Sequence, residues 1–172
     1  MPSDRLRSEH TARRALSTRG GRRRPRVLVA GLGNLLLKDD GVGVHAVRAL
    51  QHGVPRGVQA VEVGTAVLDA LHLLEWADRV LAIDAMQAGG DPGTIYRVGA
   101  EDVADRAIRA SLHEVDLLAA LRFLTNGHRP EITVLGVEPE TIDTGQDLSP
   151  SVQAALPRLV AAAQEIVTGW RA

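Results

Sequence analysis

Two aspartates and a histidine, Asp40, Asp84 and His113, are the residues of this sequence whose types could act on a substrate together. Asp40 lies between an apolar run, RVLVA (Arg26–Ala30), and a helix-patterned segment; Asp84 directly follows a second run, VLAI (Val80–Ile83); His113 precedes the body of an amphipathic helix. An oxygen–oxygen–nitrogen set suits a borderline divalent ion such as zinc or nickel, with open coordination positions left over. Each residue also has an ordinary reading. Asp40 fits a helix N-terminal carboxylate favoured by the dipole, Asp84 a turn cap, and His113 a structural or solvated histidine. Asp39 reads as a turn residue or a support for its neighbour. His45, His52, His72 and His128 have no acidic neighbours that point to a site, and read as surface or packing residues. With no cysteine in the chain, disulfides, thiolate metal sites and a cysteine nucleophile are excluded, and no serine sits in a nucleophile-elbow context.

The first apolar run enters GLGNLLLKDDGVG, Gly31 to Gly43. A Gly-x-Gly after a strand invites a dinucleotide-binding reading, but the third glycine of that fingerprint should fall at position 36, which is Leu36. The next helix also starts several residues late, behind two carboxylates that repel phosphate. No Gly-Lys-Ser/Thr follows, so the loop is not a nucleotide P-loop. Peptidyl-tRNA hydrolases share a strand followed by Gly-Leu-Gly-Asn, but the histidine-bearing element expected after it is missing. Gly31 and Gly33 making only a tight turn remains the plain alternative.

The elements that must position the three residues follow from periodicity. Strands are expected at Arg26–Ala30, Val58–Val63, Val80–Ile83, Thr94–Val98 (an edge) and Glu131–Val137. Helices are expected at Gly41–Leu50, Val67–Leu74 and Leu112–Leu124, the last with Leu117, Leu118, Leu121 and Leu124 on one stripe. Ser149 is suited to cap a final helix with Pro150 at its first position, and Pro157 is expected to kink it. Alternating strands and helices imply an α/β fold: a three-layer α/β/α sandwich, with a mostly parallel twisted sheet of about five strands. On such a sheet Asp40 and Asp84 belong to the carboxyl edge, in loops that flank one crevice, and the start of the His113 helix faces the same edge.

Aromatic residues make up only 2 % of the chain against 45 % hydrophobic, so the core must be aliphatic, as parallel sheets prefer. Charge is unevenly spread. Residues 1–26 hold nine of the 20 basic residues, all Arg, and two acids; the remainder has 11 basic against 19 acidic residues, a net of -8. An acidic body is a poor nucleic-acid binder. Residues 1–24 read as a disordered Arg-rich extension, lacking the apolar segment of a secretory signal, and 25–172 as one domain. No stretch is long enough to span a membrane; a cytoplasmic monomer is expected.

The blocks GLGNLLLKDDGVG (Gly31–Gly43), VGTA (Val63–Ala66), IDA (Ile83–Ala85), SLH (Ser111–His113) and LGVEPE (Leu135–Glu140), in order and from Val27 to the last helix, resemble the hydrogenase maturation endopeptidases. The second block departs from the family's common Asp-Gly-Gly-Thr, with Glu62-Val63-Gly64-Thr65 here. The resemblance implies removal of a short C-terminal peptide from a nickel–iron hydrogenase large-subunit precursor once nickel is inserted. It maps the family's metal-contacting residues onto Asp40, Asp84 and His113, with the nickel supplied by the substrate rather than stored by the enzyme. A non-catalytic nickel-sensing chaperone of the precursor and a small-molecule hydrolase or phosphorylase on a similar sheet are the alternatives.

Overall fold

The computed structural model describes residues 23–99, 112–125 and 127–172, with the backbone alone for 112–115. The expected extension at 1–24 lies outside these residues except for its last two, and so does the side chain of His113.

The apolar runs become five strands: β1 (Val27–Leu32), β2 (Val58–Gly64), β3 (Arg79–Ala85), β4 (Ile95–Gly99) and β5 (Glu131–Val137). They hydrogen-bond in the order β2-β1-β3-β5-β4. All neighbours are parallel except β4, an antiparallel edge against β5. The chain therefore moves from β1 outward to β2 and returns on the other side of β1 as β3. Between β1 and β3 the direction of winding reverses, which opens a crevice at their carboxyl ends.

Alternation along β1 sorts its side chains onto two cores. Val27 and Val29 face α1 (Val42–Leu50) and α4 (Pro150–Arg171), packing with Val47, Leu50, Val152 and Leu159. Leu28, Ala30 and Leu32 face the opposite layer, meeting Leu74 of α2 (Leu71–Trp76) and Leu117 of α3 (Leu112–Ala120). All six residues of β1 are buried. At about 1.5–3 kcal/mol per fully buried aliphatic side chain, this two-sided burial is the main force that fixes β1 in the sheet interior.

Some expected boundaries shift. β3 runs through Asp84 to Ala85, so the aspartate lies within the strand rather than after it. The helix expected at Val67–Leu74 opens as a 3₁₀ turn, Val67–Ala70, before α2. The one expected at Leu112–Leu124 becomes α3 plus a 3₁₀ turn at Leu121–Phe123. Ser149 caps α4 as expected, its hydroxyl accepting from the Val152 N–H at 3.4 Å, with Pro150 in the first turn. The helix continues across Pro157 to Arg171, and Leu159, Ala163 and Ile166 beyond the proline remain on its buried face.

Candidate active site

The loop from β1 to α1 is shaped by what its glycines leave out. A Cβ on Gly31 would lie 2.4 Å from the Gly43 carbonyl oxygen, and one on Gly43 would lie 2.0 Å from that of Ile83. The start of α1 thus rests directly on the backbone of β1 and β3, an approach only glycine permits. Gly33, at φ +107°, turns the chain out of the sheet, and its N–H donates to the Gly64 carbonyl at 3.2 Å.

From there the loop closes on itself. The Asn34 N–H donates to Asp40 Oδ2 at 2.8 Å, and Asn34 Oδ1 accepts from the Leu36 N–H at 2.9 Å. Asp40 lies in a 3₁₀ turn, Lys38–Gly41, and is buried. Asp84, fully buried near the end of β3, accepts from the Ala85 N–H through Oδ1 at 2.9 Å. Asp40 and Asp84 both approach Gly33, the first by its backbone and the second by its side chain. A Cβ there would stand 1.7 Å from the Asp40 carbonyl oxygen and 3.4 Å from Asp84 Oδ1. The structure therefore brings two of the three expected residues to one point on the carboxyl edge. For His113 it gives the backbone position, the second residue of α3, a helix that packs against the 3₁₀ turn after β2. Among the described residues no group of three or more His, Asp or Glu is arranged to hold an ion.

Two further buried carboxylates hold the rim around this point. Asp39, completely buried, accepts through Oδ2 from the N–H groups of Glu140 (2.9 Å) and Thr141 (3.0 Å), and through Oδ1 from that of Ser149 (2.7 Å). The expected turn residue is thus a staple between the Asp40 turn and the segment that leads into α4. Lys38, at φ +47°, adds a backbone bond to the Gly145 carbonyl at 2.8 Å. Glu138, just past β5, accepts from the N–H groups of Ala88 (2.8 Å), Gly89 (3.3 Å) and Gly90 (3.3 Å) and from the Tyr96 hydroxyl (2.9 Å). Burial alone would raise its pKa. The donors outweigh that effect and hold the carboxyl below its ordinary range, while burial and the bond to Glu138 push the Tyr96 phenol up. Sequence reasoning missed Glu138 as a functional support; its only signal was membership in the LGVEPE block.

The remaining described histidines lie elsewhere in the packing. His72 bonds through Nδ1 to the Asp69 carbonyl at 3.2 Å, and His128 through Nε2 to that of Ala77, at the opposite edge of the sheet, at 2.6 Å. His45 Nε2 is buried with no hydrogen-bond partner among the described residues.

A protein-family profile described as hydrogenase maturation protease, HycI, matches residues 44–166. The hydrogenase expression/formation protein HupD of Rhizobium leguminosarum bv. viciae is 32% identical over 155 residues, covering 85% of this chain and 76% of that protein. The chain belongs to the hydrogenase maturation protease family. A second relative, the hydrogenase 2 maturation protease of Escherichia coli (strain K12), is 34% identical over 151 residues, covering 81% of this chain and 92% of the other. Among solved structures, the hydrogenase maturating endopeptidase HybD from E. coli superposes with a TM-score of 0.75 at 30% identity, over 84% of this chain and 93% of that one. The [NiFe] hydrogenase maturation protease HybD from Thermococcus kodakarensis gives 0.73 at 30% identity, over 83% and 99%. The profile match begins after Asp40, but the pairwise relatives extend over more of the chain. In this maturation protease the glycine loop that failed as a nucleotide fingerprint carries Asp40 at the sheet edge.

Proposed function

We propose that this protease removes a C-terminal peptide from a nickel–iron hydrogenase large-subunit precursor after nickel insertion, acting as a cytoplasmic monomer. Asp40, Asp84 and His113 grip the nickel carried by the substrate and so fix the scissile bond beside them. Water attacks the scissile carbonyl, activated either by one of the two carboxylates or by the ion, and the proton it gives up passes to the amine that leaves as the C–N bond breaks. The observation that carries this reading is the approach of the Asp40 backbone and of Asp84 Oδ1 to Gly33, on the carboxyl edge where winding reverses. Acids brought from a loop and a neighbouring strand end to an edge where sheets of this kind bind ligands suit an ion presented by a partner better than either suits a lone cap.

The test is processing of nickel-loaded and nickel-free precursor, read as a mass shift. The wild type is expected to cut only the loaded form. Asp40→Asn, which keeps an oxygen for the Asn34 N–H, and His113→Ala are expected to lower cleavage by about a hundredfold or more while melting as folded proteins. Full cleavage by either variant refutes the assignment. Binding without any mass shift makes the protein a chaperone instead.

A further inference from the structure

Among the described residues, four large apolar side chains are exposed: Leu36 (59%), Leu68 (60%), Phe123 (61%) and Ile142 (43%). Single exposed apolar residues are routine on any protein surface. Leu68 and Phe123 differ because they line one groove, about 400 Å³, between the segment that follows β2 and α3. Phe123 is the only phenylalanine of a chain that has almost no aromatics. Two large apolar side chains exposed in one concave lining mark an interaction site rather than scattered surface residues. Asp69 and Asp116 also line the groove; both are exposed, and neither forms an ion pair with a described residue.

The groove starts one residue from a contact of the Gly33 loop. Thr65, one of its lining residues, follows Gly64, whose carbonyl accepts the N–H of Gly33. One polypeptide seated on this edge could thus present an ion at Gly33 and still reach Phe123. A second copy of this chain seated groove to groove is a poor occupant, because it sets Asp69 and Asp116 against the same two acids.

We propose that this groove docks the large-subunit precursor through an apolar side chain flanked by Lys or Arg. The apolar group covers Leu68 and Phe123, and the cation lies against Asp69 and Asp116. The inference rests on the function proposed above and adds the surface by which the substrate is recognised apart from its metal.

Kinetics of cleavage of the nickel-loaded precursor test it. Leu68→Ala with Phe123→Ala is expected to raise KM about tenfold, the effect of one interface hot spot, with kcat unchanged. Asp69→Asn with Asp116→Asn is expected to raise KM at low salt and to flatten the rise of the wild-type KM with ionic strength. All four side chains are exposed, so melting temperatures should stay near that of the wild type. An unchanged KM in both double variants overturns the inference, as does a loss confined to kcat. A wild type that leaves the precursor uncut removes the function reading, and the inference with it.

Discussion

Removing the Asp39 carboxylate should cost far more than its place beside Asp40 in a short turn suggests. Three backbone N–H groups, of Glu140, Thr141 and Ser149, end on it at 2.7–3.0 Å, and the residue has no exposure to water. Hydrogen bonds to a charged group contribute roughly 1.5–3 kcal/mol each. The three share one carboxylate whose own desolvation offsets part of that, so the total falls short of their sum. Asp39→Ala strands the three donors and should cost about 3–5 kcal/mol, the range for breaking one side of a buried charged cluster. Against a total stability of about 5–15 kcal/mol the variant still folds, with its melting temperature lowered by roughly 10 °C. Urea unfolding, with the slope compared to that of the wild type, gives the number directly. A loss under about 1 kcal/mol at unchanged slope would show that water or a neighbour replaces the carboxylate, and the staple argument would fail.

Gly33→Ala tests the meeting point itself. The positive φ costs about 1–2 kcal/mol for an L-residue, and the new Cβ would overlap the Asp40 carbonyl oxygen, so stability and precursor cleavage should fall together; a variant that melts and cuts like the wild type refutes the close approach. Glu138→Gln tests the rim. The folded-state pKa of Glu138 is depressed, so its contribution is fully present above the ordinary value of about 4.5 and is lost as pH falls through the folded value. The stability gap between wild type and variant should be widest near neutral pH and should close in acid. A gap that is constant from pH 7 to about pH 3 contradicts the hydrogen-bond cradle seen around the carboxylate.

Much of this was legible in the sequence, and the parts that were not share a cause. β5 is found at the expected Glu131–Val137, because Ile132, Val134, Leu135 and Val137 are buried and make the segment stand out from its polar flanks. Asp84 was read as the residue ending its strand, since a charge normally marks an edge, yet β3 continues through it to a buried Ala85. Asp39 was read only as a turn residue or a support for its neighbour, and the work of Glu138 not at all. Apart from the Tyr96 hydroxyl on Glu138, their partners are backbone N–H groups, from about a hundred residues away for Asp39 and about fifty for Glu138, and a backbone donor leaves no mark in residue identity. The same holds for Leu68 and Phe123: a pattern shows that they are apolar, and only the packing shows that they are left uncovered.

The acids of this edge therefore divide by what they touch. Asp39 and Glu138 each collect at least three donors from loops that enter or leave the sheet, and so they fix the rim. Asp40 and Asp84 stand where those loops converge, around a residue that must be glycine because the space of a side chain is already taken. Under the function proposed above, a protease that reads an ion held by its partner would gain most from acids whose positions are set before the ion arrives, since ordering them on binding would subtract from the affinity. On that logic the rim carboxylates belong to recognition as much as to stability. Loosening Asp39 should then weaken discrimination between nickel-loaded and nickel-free precursor at temperatures well below those at which the protein melts.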